Sequence, residues 1–346
     1  MNIFEREDHE QVVFCQDRAT GLRSIIAVHS TRLGPSLGGT RFYPFETESD
    51  ALTDVLRLSR AMTYKSAAAG LDLGGGKAVV IGDPKRDKTE SLLTSYAKYV
   101  DSLGGRYVTT EDVGTTVADM NVIRKTTNHV TGFAVEDGGS GDPSEATGWG
   151  AFSAIRSLAR RLWGSESLDG RHVAIQGVGK VGSYLAGHLA GAGARLTIAD
   201  VTPEAAERIR EAHGAEVVAP DVIHKVECDI YSPCALGGAL NPQTIPELSC
   251  TAVAGCANNQ LATPGSAQLL DDRSIVYAPD YIVNAGGVIN ISYELAPGGY
   301  DREQAFAHCA RIGETLDRVL DMAEDLKITT ASAADRLAES RFMAAK

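Results

Sequence analysis

A glycine-rich turn in the second half of the chain constrains the fold more than any other feature. The segment Gly177–Gly182 has the pattern G-x-G-x-x-G. It follows a predicted strand at 172–176 and opens a predicted helix at 180–190, and Asp200 ends the next predicted strand. A strand, a glycine turn, a helix and a terminal acidic residue together are the fingerprint of a dinucleotide-binding βαβ unit. The pattern therefore predicts a parallel, doubly wound, Rossmann-like sheet.

The turn also predicts which cofactor is bound. Backbone amides at a helix N-terminus favour the negative charge of a pyrophosphate. We expect contacts with the cofactor along the whole turn, from Gly177, Val178, Gly179, Lys180, Val181 and Gly182. The carboxylate of Asp200 would accept hydrogen bonds from ribose hydroxyls and repel a 2′-phosphate, so the predicted cofactor is NAD and not NADP. The alternative is a structural βαβ turn that binds no ligand.

A second glycine-rich stretch, Leu71–Ile81, has the sequence LDLGGGKAVVI. Ala78–Ile81 is predicted to be a buried strand. The three glycines can take positive φ and allow close approach of another molecule, so Lys77 is expected to meet a small substrate at the mouth of that strand. A phosphate-binding loop does not fit, because it needs Gly at position 71 and Ser or Thr at position 78. A tight turn with a solvated lysine remains an alternative.

The composition limits the class of protein. A chain of 346 residues with 43% hydrophobic residues is long enough for two globular domains, and it has no apolar run of transmembrane length. The net charge of −12 argues against binding to nucleic acid. The charged, acidic start does not resemble a secretory signal, which predicts a cytoplasmic protein. The six cysteines form no C-x-x-C and the histidines no H-E-x-x-H, so no metal site is expected.

The order of predicted elements suggests two α/β domains. In the first part, strands are predicted at 11–14, 23–28, 78–81 and 106–110, a glycine-rich loop at 33–41, and helices from Thr47 onward, at 89–103 and at 115–127. A segment rich in Gly, Ser, Asp and Pro at 132–148 is the predicted boundary. The expected domains are 1–132 with a returning C-terminal helix at about 325–346, for substrate binding and oligomerisation, and 133–324, for NAD binding.

The second part is predicted to alternate strands and helices. Further helices are expected at 149–163, 286–296, 302–325 and 331–345, and short strands near 216–218, 228–231, 251–254 and 275–278. Strands that alternate with helices are typical of a parallel sheet covered on both faces. The predicted fold class is therefore α/β, with a substrate domain followed by a Rossmann-like domain.

Seven stretches of the sequence resemble the amino-acid dehydrogenase family that comprises the glutamate, leucine, phenylalanine and valine dehydrogenases. They are Gly38–Arg41, Met62–Lys65, Gly70–Lys77, Glu111–Gly114, Gly177–Gly182, Ala257–Asn259 and Pro279–Gly287. They span almost the whole chain and are most similar to the leucine/valine branch. The resemblance implies NAD-dependent, reversible oxidative deamination of an L-amino acid to a 2-oxo acid and ammonia, by a homo-oligomer (a dimer or an octamer).

The resemblance also implies roles for polar residues. Lys65 would bind the substrate α-carboxylate, helped by Asn284 and by the backbone at Gly38 and Gly39. Lys77 resembles the catalytic lysine, whose unprotonated amine could activate water. Thr147 and Asn259 lie where the family holds the nicotinamide end of the cofactor.

Asp112 resembles the carboxylate that exchanges protons with the substrate amine. Its position at the end of a predicted strand is where the sites of α/β proteins collect. The sequence leaves a second role open, because Asp-Val-Gly-Thr precedes a predicted helix and aspartate is a common N-cap.

Four residues would line the side-chain pocket by the same resemblance: Leu37, Thr110, Val288 and Ile291. None is basic, so the carboxylate of a glutamate side chain would be buried without a partner. Leu37 would crowd an aromatic ring, and Thr110 stands where the leucine branch has alanine. These features favour valine, leucine or isoleucine over phenylalanine or tryptophan. An aromatic amino-acid dehydrogenase is the alternative, and a non-catalytic NAD-binding regulator is a remote one. Glu145 replaces a small or apolar residue, without a role that the sequence explains.

Overall fold

The computed structural model describes residues 8–235 and 237–345, which form two compact units. The first unit runs to Asp142 and includes Ile291–Arg302 and the chain from Ala338 onward, and the second comprises Pro143–Asn290 and Glu303–Leu337. The predicted boundary after residue 132 thus lies ten residues before the division after Asp142. The prediction also lacked the segment Ile291–Arg302, and it began the C-terminal contribution to the first unit near residue 325 rather than at Ala338.

The first unit is built on a five-stranded sheet with the strand order β1-β2-β4-β3-β5. Its strands are β1 (Gln11–Asp17), β2 (Leu22–Ser30), β3 (Ser36–Tyr43), β4 (Gly74–Ile81) and β5 (Tyr107–Glu111). Its helices are α1 (Glu48–Ala68), α2 (Glu90–Ser102) and α3 (Val117–Arg124). The pairs β1–β2 and β2–β4 are antiparallel, whereas β3 pairs in parallel with both β4 and β5. The strands predicted at 11–14 and 23–28 are thus neighbours in this sheet.

The alternation of side chains along the strands fixes what each face of this sheet covers. Ile26, Val28, Ala78 and Val80 pack with side chains of α2 in one apolar cluster. Their neighbours Ile25, Ala27 and Val79 pack with side chains of α1 in another. Lys77 lies two residues before Val79, so it shares the face that is turned toward α1. Thr47 caps α1 as predicted, because its Oγ1 accepts the backbone N–H of Asp50 at 3.1 Å.

The prediction of a loop at 33–41 is wrong, because most of this segment is strand β3. Gly38 and Gly39 suggest a loop, since glycine weakens an isolated strand. The register nevertheless places β3 between β4 and β5, with Leu37 opposite both Gly75 and Val108. A Cβ at Gly38 would overlap the carbonyl group of Gly76 on the neighbouring strand. The glycines therefore allow close packing within the sheet.

The second unit contains a six-stranded sheet in which every strand pair is parallel. Its strands are β6 (His172–Gln176), β7 (Arg195–Ala199), β8 (Glu216–Val217), β9 (Cys228–Pro233), β10 (Cys250–Val253) and β11 (Val276–Tyr277), in the order β11-β10-β9-β6-β7-β8. Neighbouring parallel strands need crossover connections. The order reverses at β6, which carries the glycine turn, and this is the doubly wound topology that the sequence predicts.

The helices from Ser144 onward are α4 (Ser144–Trp163), α5 (Lys180–Gly191), α6 (Pro203–His213), α7 (Ser266–Asp272), α8 (Asp280–Val283), α9 (Gly286–Ser292), α10 (Arg302–Ala310), α11 (Ile312–Leu326) and α12 (Thr330–Phe342). Helix α4 begins at Ser144 rather than at 149, so part of the predicted boundary segment is helical. The single helix predicted at 302–325 is two helices, with Arg311 between them.

The end of α12 belongs to the first unit, as the sequence predicts for the C-terminal helix. The hydroxyl of Tyr64 donates to Glu339 at 2.8 Å, and the rings of Tyr64 and Phe342 lie 5.2 Å apart. Arg341 pairs with Asp72 at 2.7 Å. Among the described residues, no helix is long and apolar enough to cross a membrane.

Candidate active site

Lys77 lies in the middle of β4 and not at the mouth of the strand, as the sequence suggested. Leu37 pairs with Gly75 and Thr40 with Ala78, which places Gly39 of β3 opposite Lys77. Gly39 also pairs with Thr110 of β5. Residues in register on parallel strands point to the same face of a sheet. Three residues therefore lie side by side on one face of the sheet, in the order Lys77, Gly39 and Thr110. We call them the row; its middle position has no side chain.

The three glycines before Lys77 serve packing rather than unusual backbone angles. None of them has a positive φ. A Cβ at Gly75 would overlap the backbone nitrogen of Thr63 on α1, and a Cβ at Gly76 would lie 2.6 Å from the ring of Tyr107. Because Gly75 and Thr63 each precede a key lysine by two residues, their contact holds the segments of Lys77 and Lys65 against each other.

The buried Lys77 forms an ion pair with the partly buried Asp112 beside Gly39. Nζ of Lys77 lies 2.9 Å from Oδ2 of Asp112, and Lys77 is only 7% exposed. A Cβ at Gly39 would lie 2.8 Å from the Cβ of Asp112. The absent side chain at Gly39 therefore makes room for the carboxylate beside the lysine.

Arg41 is a third member of this site, and sequence reasoning gave it no role. Its Nε lies 3.1 Å from the same Oδ2 of Asp112 that Lys77 contacts. Burial of the Asp112 carboxyl raises its pKa, but the charges of Lys77 and Arg41 outweigh burial and lower the pKa to about 2. Arg41 lies within the stretch Gly38–Arg41 that resembles the family, but nothing local in the sequence pairs it with Asp112.

The alternative role of Asp112 as a helix cap does not hold. Helix α3 is capped by Thr116, which forms a reciprocal capping box with Asp119. Asp112 lies before that cap, where its backbone N–H donates to Oγ1 of Thr115 at 2.9 Å. Its side chain is thus available for the contacts with the two cations.

Lys65 lies half-buried in the last turn of α1. A buried hydrogen bond between Nδ1 of His29 and Oγ1 of Thr63, 2.8 Å long, ties this end of α1 to β2. Burial, together with nearby His9 and Arg60, lowers the pKa of His29 to about 3, so its ring is neutral near pH 7. His29 was not predicted, since nothing local in the sequence pairs it with Thr63.

The four predicted pocket residues are buried in their own units. Leu37, Thr110 and Ile291 belong to the first unit and Val288 to the second. Oγ1 of Thr110 has no hydrogen-bond partner among the described residues. A Cβ at Gly132 would lie 2.6 Å from this hydroxyl, so the backbone of Gly132 closes one side of Thr110.

The glycine turn of the second unit fits a dinucleotide. Gly177 has a φ of +95°, which the tight turn requires, and a Cβ at Gly182 would overlap the carbonyl oxygen of Gly177. A Cβ at Gly179 would meet no described atom within 4 Å. The fold itself therefore does not need glycine at position 179, whereas a pyrophosphate that approaches the backbone does. Val178 is buried, and Lys180 and Val181 begin α5.

Asp200 accepts two backbone hydrogen bonds, from Val178 at 2.8 Å and from Thr202 at 2.8 Å. The carboxylate thus braces the glycine turn. It retains acceptor capacity, since an ionised carboxylate has about four acceptor sites. Asp200 can therefore stabilise the glycine turn and also accept a hydrogen bond from the ribose, as predicted.

Two residues were predicted at the nicotinamide end, Thr147 and Asn259. Oγ1 of Thr147 donates to the carbonyl of Pro143 at 2.9 Å, and a Cβ at Gly287 would lie 2.9 Å from that oxygen. Asn259 is exposed and takes a left-handed conformation, with a φ of +53°. These residues lie in the second unit, as the glycine turn does.

Asn284, the predicted helper of Lys65, is buried and directs its amide nitrogen at neighbouring oxygens. Its Nδ2 donates to the carbonyl of Cys256 at 3.2 Å and to Oδ1 of Asn258 at 2.9 Å. Its buried Oδ1 has no partner within the described part of the chain. Asn284 therefore offers an acceptor, and binding a carboxylate would require the amide to rotate. No cluster of described His, Cys, Asp or Glu residues could hold a metal ion.

A dinucleotide turn in one unit and a buried lysine–aspartate pair in the other define the class of an NAD-dependent dehydrogenase. The family model "Glu/Leu/Phe/Val dehydrogenase, dimerisation domain" matches residues 9–129, and "Glutamate/Leucine/Phenylalanine/Valine dehydrogenase" matches residues 138–203 and 196–345. The chain belongs to this family: it is an amino-acid dehydrogenase, and its cofactor is NAD.

Curated relatives and solved structures agree with this assignment. The chain is 50% identical to the leucine dehydrogenase of Geobacillus stearothermophilus, over 98% of this chain and 92% of the relative. It is 51% identical to the valine dehydrogenase of Streptomyces virginiae, over 98% and 95%. The L-tryptophan dehydrogenase of Nostoc punctiforme superimposes with a TM-score of 0.86 at 42% identity, covering 98% of this chain and 97% of that one.

Proposed function

We propose that this enzyme oxidises branched-chain L-amino acids (valine, leucine and isoleucine) reversibly to 2-oxo acids and ammonia with NAD. The buried pair of Lys77 and Asp112, 2.9 Å apart beside the bare backbone of Gly39, carries the proposal. A small substrate can lie over this row only because Gly39 has no side chain. The identities near 50% to leucine and valine dehydrogenases support the branched-chain class.

Lys65 and the backbone at Gly38 and Gly39 would bind the substrate α-carboxylate. A lysine is suited to this role because its ammonium is a compact charge with three donors. Asn284 would assist only after its amide rotates. Thr147, Asn259 and the turn at Gly177–Gly182 would hold NAD in the second unit.

Asp112 would accept a proton from the substrate ammonium, which leaves a neutral amine at the α-carbon. The α-carbon would then lose its hydride, for which NAD, when bound, would supply the acceptor. The unprotonated amine of Lys77 would then remove a proton from water as the water oxygen attacks the resulting imine carbon. Asp112 would return its proton to the nitrogen, so that ammonia leaves. As the C–N bond breaks, the oxygen that came from water forms the second bond to the α-carbon, loses its remaining proton to solvent and becomes the keto oxygen of the 2-oxo acid.

The side-chain preference would be set by Leu37, Thr110, Val288 and Ile291. These four side chains carry no formal charge, so they provide no ion-pair partner for a glutamate side chain. Discrimination among the aliphatic substrates would be partial, because one methylene is worth only ~1–3 kcal/mol. The similarity to a tryptophan dehydrogenase makes aromatic substrates the second candidate.

Self-association would use the free edge of the first sheet. Strand β2 is paired on both sides, whereas β1 pairs only with β2 and leaves its other edge open. Phe14 on β1 is 66% exposed, which is unusual for phenylalanine. A homodimer or an octamer built from such dimers would cover it. Light scattering of Phe14→Asp should show a smaller assembly than the wild type, and an unchanged mass would exclude this edge.

The decisive experiment is NADH formation by the purified enzyme with L-valine, leucine, isoleucine, phenylalanine, tryptophan and glutamate at alkaline pH, with NADP in parallel. High rates with the aliphatic set and NAD are expected. Rates confined to phenylalanine or tryptophan would support the second candidate. No rate with any amino acid, with NADH still bound, would indicate a regulator. Fractionation of the source cells would test the predicted cytoplasmic location.

A further inference from the structure

Arg41 has no step in the proposed chemistry, yet it contacts the same oxygen of Asp112 as Lys77 does. Nε of Arg41 lies 3.1 Å and Nζ of Lys77 lies 2.9 Å from Oδ2 of Asp112. The side chain of Arg41 is 23% exposed, and that of Asp112 is 21% exposed. A partly buried guanidinium at this distance favours the ionised form of a carboxylate.

Arg41 is held in turn by a second carboxylate. Its Nη1 lies 2.8 Å from Oδ2 of Asp54, a residue of α1 whose side chain is 14% exposed. The series Asp54, Arg41, Asp112 and Lys77 therefore alternates negative and positive groups. We call these four residues the charge chain. Arg57, on the exposed side, contacts the other oxygen of Asp54 at 3.2 Å.

The proposed reaction requires Lys77 to pass between its charged and neutral forms. If Lys77 were the only cation beside Asp112, this partly buried carboxylate would lose its counter-ion whenever the lysine became neutral. An unpaired buried charge is unfavourable, and the carboxyl would then hold its proton or turn away. A guanidinium does not lose its proton in proteins, so Arg41 can serve as a counter-ion at every stage.

We propose that Arg41, fixed by Asp54, is a positioning residue that holds Asp112 ionised and correctly oriented while Lys77 gains and loses its proton. This inference rests on the proposed function and deepens it. Both cations contact Oδ2. Oδ1 takes part in neither ion pair, so it would be the oxygen that accepts the proton of the substrate ammonium. There one N–H bond of the substrate breaks and one O–H bond forms on Oδ1. The low pKa of Asp112 agrees with a carboxylate that is ionised before substrate arrives.

The test compares Arg41→Gln, which removes the charge at similar length, with Arg41→Lys, which keeps it. For Arg41→Gln, kcat with L-valine should fall by roughly 10–100-fold, as for other residues that orient a reacting group. KM for valine and for NAD should change little, and the solvent deuterium isotope effect on kcat should rise, because proton transfer becomes limiting. Arg41→Lys should recover part of the lost kcat.

Two further variants separate positioning from a merely structural effect. Asp54→Asn should lower kcat by less than Arg41→Gln does. It removes the carboxylate that holds Arg41 but leaves the guanidinium beside Asp112. Arg57→Gln, an exposed neighbour of Asp54, should leave kcat unchanged. Melting temperatures of all variants show whether they fold, and if Arg41→Gln does not fold, Arg41→Lys and Asp54→Asn carry the test through their isotope effects.

Unchanged kcat and isotope effect in Arg41→Gln, or a loss that appears only in KM, would overturn the inference while leaving the proposed function intact. A loss of kcat that follows the fall in melting temperature across all variants would also overturn it. A wild-type enzyme that oxidises no amino acid would overturn the proposed function, and this inference with it.

Discussion

The two glycine-rich stretches of this enzyme look alike in sequence but work differently. In Gly74–Gly76, positive φ is absent, and the missing side chains let α1 and β5 approach β4. In Gly177–Gly182, the first glycine has a left-handed φ of +95°, and a Cβ at the second would meet no described atom within 4 Å. The first set therefore positions a lysine through packing, whereas the second leaves room for a ligand. Substitutions with alanine should separate these two uses.

The largest effect is expected in the first stretch. Gly75→Ala would place a Cβ 2.0 Å from the backbone nitrogen of Thr63, so β4 and α1 would have to move apart. We expect the free energy of unfolding to fall by about 3 kcal/mol or more, at the upper end of overpacking effects. Urea unfolding measures it. Stability within ~0.5 kcal/mol of the wild type would show that the close approach at Gly75 is unimportant.

Acid should weaken the same contact between α1 and the sheet. The pKa of His29 is about 3 in the folded protein, below its ordinary value near 6.5, so the unfolded chain takes up the proton first. The neutral ring of His29 therefore makes its full contribution to the free energy of unfolding above pH ~6.5. This contribution is lost as the pH falls toward 3, and about 2 kcal/mol of it is lost at pH 5. His29→Asn keeps a donor near Thr63 without a titrating ring.

Urea unfolding at pH 7.5 and pH 5 should therefore show a smaller decrease in stability for His29→Asn than for the wild type. Equal decreases in the two proteins would mean that His29 takes up its proton without unfolding the contact.

A smaller effect, confined to binding, is expected in the second stretch. Gly179→Ala adds a Cβ where no described atom lies within 4 Å, so the free energy of unfolding should stay within ~0.5 kcal/mol of the wild type. The same methyl group would occupy the space of the pyrophosphate. We expect NADH to bind about tenfold more weakly, which corresponds to ~1.4 kcal/mol. Titration of NADH fluorescence measures this, and undiminished affinity would remove the contrast between the two stretches.

The sequence predicted the second unit better than the first, for a physical reason. The turn at Gly177–Gly182 and its brace Asp200 form a local βαβ unit, whose signals lie within a short stretch of chain. Strand β3 was mistaken for a loop because the partners that need Gly38 and Gly39 come from β4 and β5, far along the chain. Local propensity cannot report such contacts.

The same limit applies within the site. Lys77 was predicted from the glycines that precede it and Asp112 from the resemblance to a family, and the structure places Gly39 beside both. Arg41 was missed as a partner of Asp112, 71 residues away, because no local pattern joins the two. The orientation of the Asn284 amide likewise depends on the oxygens of Cys256 and Asn258, whose positions cannot be predicted from the sequence.

The central claim is that the buried pair of Lys77 and Asp112 performs the chemistry while the glycine turn of the other unit binds NAD. The most direct measurement is kcat with L-valine and the Kd of NADH for Lys77→Ala, with the exposed Lys85→Ala as the matched control. We expect Lys77→Ala to lose kcat by roughly 100-fold or more and to keep its affinity for NADH, while Lys85→Ala changes neither. A near-normal kcat in Lys77→Ala would show that Lys77 is not the catalytic lysine.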